Sequence, residues 1–507
     1  MRLRSTLSTT FTGILATLGA TPAQSVPTTR QTTGSLAFLP DEPLLTFQYS
    51  TPDPSTINWI GVYHASGGGP DNQEFVEQSL TWAYAPEGEG TLQVSASDLQ
   101  SGDYRAFFLA KDGYKWLAEP VDLVVPFSSG PVAFVVERLT LHNARQGDEY
   151  EAKVGGLRIN GGNSTVQFSK IQGDEWITLS ADGVLSGTPS FSAQTTKAIV
   201  EMTASDGSSA RLELTIPMRS AGTPLVEELA VMSFNLWHGG TQVSNYHEKQ
   251  IRFLVSSGAD IVGLQESTGG HATRLGDALG WYSWQGSDVG VISRYPIVEE
   301  SAHEGYAVYV KIALDGDDRM VNLWNVHLGY DPYGPYDFCF ENMTVDQVLE
   351  REITSNRTPQ IKSVMAGMRE QLEKADEMPV LLIGDFNAPS HLDWVEATKK
   401  EHCGQGDVPW PTSVEPTQAG MVDSYRKVYQ DPAENPGITW SPIFLENEGR
   451  SEPMDRIDFV YHKGEILSVV DARALVVGSP KPEPEHGQNE WTSDHAAVLA
   501  VYKFSGS

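Results

Sequence analysis

The stretch Val380-Leu-Leu-Ile-Gly-Asp-Phe-Asn-Ala-Pro-Ser390 constrains this chain more than any other. Four consecutive apolar residues read as a fully buried strand. Residues two apart on a strand point the same way, so Asp385 and Asn387 share one face where that strand ends. A carboxylate and a carboxamide leaving a core together suit a metal ion or phosphate oxygens. Asp and Asn also favour turns. By itself the stretch supports both a strand-end turn and a binding site.

The chain has 507 residues, too many for one ordinary core, and two to four domains are expected. A hydrophobic content of 40% and 12 Trp argue for folded domains. The formal net charge of −31 repels polyanions. That weighs against holding long nucleic acid by charge alone, but a nuclease with bound divalent cations stays open. Residues 1–23 read as a secretory signal: Arg2 and Arg4, then apolar Phe11 to Ala20, then small Ala20 and Ala23. No later run is long and apolar enough to span a bilayer, and the C-terminus carries no lipid-anchor pattern. The sequons at Asn163, Asn342 and Asn356 fit a secreted glycoprotein. In an oxidising compartment, the two cysteines, Cys339 and Cys403, form one bridge or stay as two buried thiols. A monomer without stable membrane insertion is the expected state.

After a Ser/Thr/Pro/Gln-rich segment at 24–33, residues 34–126 read as an all-β module. Short strands alternate with turns such as Ser66-Gly-Gly-Gly-Pro70 and Lys111-Asp-Gly113. The series Asn58-Trp-Ile-Gly-Val-Tyr63, Leu80-Thr-Trp-Ala-Tyr84 and Gly102-Asp-Tyr-Arg-Ala106 resembles immunoglobulin-like domains of the SKICH kind. Phe127–Pro131 reads as a linker. Residues 132–219 form a second β-module, in which Trp176-Ile-Thr-Leu-Ser-Ala-Asp-Gly-Val-Leu-Ser-Gly-Thr-Pro189 resembles cadherin-like extracellular repeats. Both modules read as accessory units that could place an enzyme near a polymer or wall.

From 226 to 505 strand-like runs alternate with helical ones, a mixed α and β domain. Its strands end in polar residues. Met232–Leu236 delivers Asn235, Ile261–Ser267 delivers Glu266, and Asn322–Gly329 delivers His327 with Asn325 two residues earlier. Ile383–Asn387 delivers Asp385 and Asn387; Asp455–Val460 delivers Asp458 and its neighbour Asp455. Trp491–Ala496 delivers Asp494 and His495. Each alone has an ordinary structural explanation; together they form an oxygen-and-imidazole set. Carboxylates with few sulfurs suit Mg²⁺, Mn²⁺ or Ca²⁺ over zinc. A nucleophile elbow and a phosphate-binding loop lysine motif are both missing from the sequence. Between Gly329 and Pro359 lies a long aromatic and acidic insertion, read as a functional loop.

In order, Ser-Phe-Asn-Leu, Leu-Gln-Glu, Asn-Val-His-Leu, Gly-Asp-Phe-Asn, Arg-Ile-Asp-Phe and Ser-Asp-His resemble the endonuclease/exonuclease/phosphatase superfamily, over about 228–503. The resemblance implies an α+β fold, a four-layer αββα sandwich. It also implies roles. Glu266 is the main metal ligand, with Asn235 and Asp494 beside the ion, Mg²⁺ or Mn²⁺/Ca²⁺. Asp385 orients or deprotonates the attacking water, and Asn387 holds a phosphate oxygen. His495 contacts phosphate with Asp458 fixing its tautomer, and His327 is the second imidazole. For the carboxylate bracing His327, Glu299 and Glu304 are the candidates at hand.

The reaction so implied is metal-dependent phosphoester hydrolysis on a phosphate-ester substrate, leaning to phosphodiesters and including nucleic acid. A phosphomonoesterase, a sphingomyelinase-type enzyme and a non-catalytic adhesion protein are the rivals. Trp281, Tyr282, Trp284 and Trp440 are candidates for base stacking, with core packing the alternative.

Overall fold

The computed structural model describes residues 33–505, apart from 41, 97 and 98. The proposed secretory signal at 1–23 lies outside the described residues.

Alternation of side chains builds the central layers. One six-stranded sheet has the order Tyr282–Gln285, Gly290–Ser293, Ile261–Gln265, Glu228–Asn235, Ala497–Phe504, Leu467–Leu475. A second has the order Ile297–His303, Ala307–Asp315, Arg319–His327, Val380–Asp385, Asp458–Lys463, Val422–Asp423. Leu229, Val231 and Ile261 of the first sheet meet Leu323, Leu381, Ile383 and Val460 of the second in one buried core. The alternate residues face outward. Met232 and Phe234 pack on helices Tyr246–Ser257 and His271–Leu279. Trp324, Val326 and Leu382 pack on helix Arg357–Glu373. The result is helix, sheet, sheet, helix, which explains why Val380–Ile383 is apolar at every position: both faces are covered.

The N-terminal region is all β. Strands Ser35–Phe38, Thr46–Ser50 and Glu89–Gln93 face a sheet of Thr81–Tyr84, Trp59–His64, Gly102–Leu109 and Val121–Val125. Phe47, Ile60, Tyr104 and Phe108 fill the space between. Next, Val166–Gln172, Thr196–Ala204, Ser209–Ile216 and Arg138–Thr140 form the four-stranded sheet of a second β-unit, with its own core around Val200, Leu212 and Leu214.

These units are not beads on a string. The core of the second β-unit runs without a break into the helices over the first sheet. Arg145 Nη1 donates to Asp315 Oδ2 at 2.6 Å, and Arg294 Nη1 donates to the Thr140 carbonyl at 3.0 Å. Helix His271–Leu279 is held at both ends. A Cβ on Gly270 would stand 2.4 Å from Ser66 Oγ, and one on Gly280 would stand 2.7 Å from Lys153 Cβ. Neither end leaves room for a side chain.

The insertion after Gly329 is not one long loop. It folds as helices Gly334–Cys339 and Val345–Thr354. Its aromatic residues explain this: Phe338 and Val348 share a small buried core with Trp394 and Trp410. Cys339 and Cys403 are joined, with Cα atoms 5.2 Å apart. Asn163, Asn342 and Asn356 are all exposed. Among the described residues, no helix is long and apolar enough to cross a membrane.

Candidate active site

The apolar filling between the two sheets stops at one end of the strands. Where Leu229 and Val231 point inward, so by alternation do Ser233 and Asn235; where Leu381 and Ile383 point inward, so does Asp385. A polar layer closes the core there. Gln265 Nε2 donates to Asn325 Oδ1 at 2.6 Å, and Asn325 Nδ2 donates to the carbonyls of Leu264 and Gly290, each at 2.9 Å. Asn325 therefore ties sheet to sheet.

Beyond that layer, strand register sets three residues in one row. His327 pairs with Asp385 across a parallel pair, and Asp385 with Asp458 across an antiparallel one. Asp385 is fully buried. Its Oδ1 accepts the Asn387 amide at 2.8 Å, and its Oδ2 accepts Asn235 Nδ2 at 3.0 Å. The same Oδ2 lies 3.6 Å from His495 Nε2 and 3.7 Å from His327 Nε2. Each imidazole is braced on its far side. His495 Nδ1 donates to Asp458 Oδ2 at 2.9 Å, and His327 Nδ1 donates to Asp288 Oδ2 at 2.7 Å.

Asp288 corrects the choice of Glu299 or Glu304. Glu299 pairs with Lys311 on the outer strands of the second sheet. Glu304 sits in the turn after the strand Ile297–His303. Asp288 lies in the turn before Gly290–Ser293, a place where Asp is common for local reasons. Only the folded proximity to His327 marks it.

Burial would lower both imidazoles. Asp288, with Asp385 and Glu266, instead holds His327 up at about 10. Asp458, Asp385 and Asp494 likewise hold His495 well above its ordinary value. Burial raises the carboxyls of Asp385 and Asp494, against the pull of the nearby imidazoles.

Glu266 follows its strand in the left-handed region, φ 52°, which turns its carboxylate back over the strand ends. Glu266 Oε2 accepts the His238 amide at 2.6 Å, and Oε1 accepts Asn235 Nδ2 at 3.4 Å. Asp494 is buried, and its Oδ1 accepts no hydrogen bond, its nearest cationic neighbour being His495 Nε2 at 4.0 Å. Asn235 thus stands between Glu266 and Asp385. A buried carboxylate oxygen that accepts no hydrogen bond, near a second carboxylate and a carboxamide, is an all-oxygen donor set that fits a hard divalent cation. Asp385, Asp458 and His495 also bring ligand-type atoms within 4.8 Å of one another. His495 Nδ1 is already spent on Asp458, so that trio reads as a hydrogen-bonded chain.

The resemblance gives Asn387 a phosphate-holding role, and the structure sets it between the Leu328 carbonyl and Asp385. Its Nδ2 donates to the Leu328 carbonyl at 3.0 Å and, at 3.4 Å, to Asp385 Oδ2. Both donors already have protein acceptors, and only the longer bond is readily shared. Asp455 stays out of the centre: it accepts Trp394 Nε1 at 2.7 Å and Tyr333 Oη at 3.3 Å, anchoring the insertion. Trp440 lies beside His495, ring centroids 5.1 Å apart, and forms a wall of the site. Trp281 is covered by Arg294, Trp284 packs against the inter-sheet core, and Tyr282 is exposed.

Glu77, from the first β-module, also reaches this region. Burial, then the charges of Glu266 and Asp288, push its carboxyl up to about 8. Nothing in the local sequence around Glu77 distinguishes it from Glu74, three residues earlier.

An uncharacterised Caenorhabditis elegans protein is 33% identical over 291 residues, 54% of this chain and 91% of the relative. A D. rerio TDP2 solved with a single-strand DNA product is 17% identical, covering 54% of this chain and 99% of its own, with a TM-score of 0.36. The human nocturnin catalytic domain with bound sulfate is 14% identical, covering 56% and 97%, also at 0.36. An AP endonuclease from Archaeoglobus fulgidus is 16% identical, covering 55% and 99%, at 0.35. The Endonuclease/Exonuclease/phosphatase family model matches residues 232–495, from the strand that carries Asn235 to His495, and the chain belongs to that family.

Proposed function

We propose that this protein is a secreted, divalent-metal-dependent phosphoester hydrolase acting by in-line attack of water on phosphorus, with phosphodiesters as its preferred class. The observation that carries this reading is Asp385 Oδ2 between two imidazole Nε2 atoms, each imidazole braced by its own aspartate.

A cation held by Glu266 and Asp494, with Asn235 beside it, would neutralise charge on the phosphate oxygens. The residues of the chain do the rest. Asp385, fixed by Asn235 and the Asn387 amide, orients the attacking water and takes its proton. Asp458 and Asp288 hold a proton on the Nδ1 atoms of His495 and His327. A second proton then sits on each Nε2, aimed at the reacting centre. The two imidazolium donors stabilise the equatorial oxygens and supply the leaving group with its proton. Asn387 steadies Asp385 and can share its longer bond with a phosphate oxygen.

The test is hydrolysis of a chromogenic phosphate bis-ester against its mono-ester, with and without EDTA, followed by plasmid DNA and sphingomyelin. EDTA-sensitive cleavage with the bis-ester favoured is the expected result. Cleavage indifferent to EDTA, or none with any divalent cation, would overturn the reading.

A further inference from the structure

The insertion after Gly329 grips one wall of the site at two points. Trp440 is paired by backbone with Asp455: Trp440 N donates to the Asp455 carbonyl at 2.9 Å, and Asp455 N donates to the Trp440 carbonyl at 3.0 Å. The indole Nε1 of Trp440 donates to Glu452 Oε1 at 2.7 Å. The insertion reaches both acids. Tyr333 Oη donates to Asp455 Oδ2 at 3.3 Å, and Tyr336 Oη donates to Glu452 Oε1 at 2.6 Å. The two tyrosines stand at the start of helix Gly334–Cys339, with ring centroids 4.8 Å apart. At the end of the same helix, Cys339 is bonded to Cys403.

These contacts meet at Glu452. It is buried, and a buried carboxylate is costly unless hydrogen bonds satisfy it. One of its oxygens takes both donors, the indole N–H and the phenol O–H, as its two lone pairs allow. Its backbone is fixed as well: Glu452 N donates to the Leu445 carbonyl at 3.1 Å. Arg450, two residues earlier, lies over the ring of Phe340 in the insertion, 3.8 Å from its centroid. On its other side Trp440 packs on His495, ring centroids 5.1 Å apart and planes at 59°. Ala496 N donates to the Thr439 carbonyl at 2.8 Å, so the two segments run side by side. Asp458 holds His495 at one atom, Nδ1. A single hydrogen bond leaves a ring free to swing about it. The indole beside the ring limits that swing, and so sets where Nε2 points, 3.6 Å from Asp385 Oδ2.

We propose that Glu452 is a positioning residue for His495: it fixes the indole of Trp440 against the imidazole, and the disulfide-tied insertion in turn fixes Glu452 through Tyr336. The inference rests on the reading of His495 as a proton-bearing group at the reacting centre. Glu452 acts as a hydrogen-bond acceptor, so a neutral side chain with an oxygen in the same place can stand in for it. Aim matters at such a centre, because a misplacement of about 1 Å can cost on the order of 10²-fold in rate. The insertion thereby has a task. Its core of Phe338, Val348, Trp394 and Trp410 makes it rigid, and its tyrosines carry that rigidity to the wall of the site.

The experiment is steady-state kinetics of the full chain on the chromogenic bis-ester, with a thermal melt of each variant: Glu452→Leu, Glu452→Gln, Tyr336→Phe, Trp440→Phe, the double variant Glu452→Leu/Trp440→Phe, Glu446→Leu and His495→Ala. Glu446 is exposed on the same hairpin, and its change removes the same charge. Expected in Glu452→Leu is a fall in kcat of about tenfold to a hundredfold, with KM changed less. Glu452→Gln, whose amide oxygen still accepts, should recover most of it, Tyr336→Phe should lose less than Glu452→Leu, and Glu446→Leu should match the wild type. Trp440→Phe has no indole N–H to hold, so adding Glu452→Leu to it should cost little more. A full further loss in the double variant makes the two residues independent and overturns the inference. So do equal losses in Glu452→Leu and Glu446→Leu, or in Glu452→Leu and Glu452→Gln. Should Glu452→Leu fail to fold, Tyr336→Phe decides, and a wild-type kcat there overturns the inference. A wild-type kcat in Glu452→Leu with turnover lost in His495→Ala overturns it and leaves the proposed function standing. Normal turnover in His495→Ala overturns both.

Discussion

Asp288 Oδ2 accepts a 2.7 Å hydrogen bond from His327 Nδ1, joining a turn beside the first sheet to the end of a strand in the second. This fixes which His327 nitrogen faces Asp385. In Asp288→Asn the amide can present either its oxygen or its NH₂, so the ring loses both its charge partner and its tautomer. A 10²- to 10⁴-fold fall in kcat, on the order of a general acid–base contribution, is expected with KM little changed. Glu299→Ala and Glu304→Ala should stay near wild type. Steady-state kinetics on the bis-ester would check all three, and a near-normal Asp288→Asn would refute the bracing role.

Asp385→Ala and His495→Ala should each abolish measurable turnover. Asp385 meets both imidazoles and two amides, so its loss disconnects the whole centre. Losses on the order of 10³-fold or more are expected, because residues acting as a unit fail together. The double variant should be scarcely worse than either single one. Retained turnover in either single variant would remove it from the mechanism.

Mg²⁺ should stabilise the folded chain. At about a hundred times its Kd, a ligand that binds only the native state adds about 2.7 kcal/mol. The melting temperature of the wild type should rise with Mg²⁺ and fall back with EDTA, while Glu266→Gln and Asp494→Asn should respond weakly. A melt equally sensitive to Mg²⁺ in those variants would place the ion elsewhere.

Acid should loosen the seam between the first β-module and the family domain. His64, His247 and His271 lie there with Tyr104, Tyr246, Arg274 and Glu77. Burial, then Arg274, lowers His64 from 6.5 to about 3 and holds His247 and His271 well below 6.5. The unfolded chain therefore takes up protons that the folded one refuses. The histidines cost nothing above about pH 7.5, while Glu77, pushed up to about 8, works the other way and offsets part of their effect as acid is added. Below 6.5 the stability they permit declines with each pH unit, by up to about 1.4 kcal/mol per histidine, until the folded-state value is reached. Denaturant melts between pH 7.5 and 4.5 should show this, and His64→Phe should flatten the slope. A wild-type slope in that variant would contradict the assignment.

Gly68 tests the docking directly. Its φ of +84° suits glycine, and a Cβ would strike Gly269 backbone. Gly68→Ala should cost about 1–3 kcal/mol of stability. Gly207→Ala, with φ +87° but open space around its Cβ, should cost less. Equal melts for the two variants would argue against a tight seam.

The sequence by itself determined the layers and the cast. Period-two alternation and fully apolar runs place the strands, and polar residues at the points where those runs stop identify Asn235, Glu266, His327, Asp385, Asp458 and Asp494–His495, because both signals are local. The tertiary structure decided who meets whom. Asp288 and Glu77 are ordinary acids in turns until folding sets them beside His327 and the Gly269 turn, and the insertion after Gly329 becomes helical because Phe338 and Val348 find Trp394 and Trp410. Likewise the β-modules read as separate units because each has its own alternating pattern. The glycines that let Ser66–Gly68 press against Gly269–Gly270 carry no side chain, so a sequence reader takes them for turns. Val380–Ser390 shows both halves: its apolar run and its Asp385 are legible in order, but the two imidazoles converging on that carboxylate come from 58 and 110 residues away, His327 by register within the second sheet and His495 by the packing of the first sheet against it.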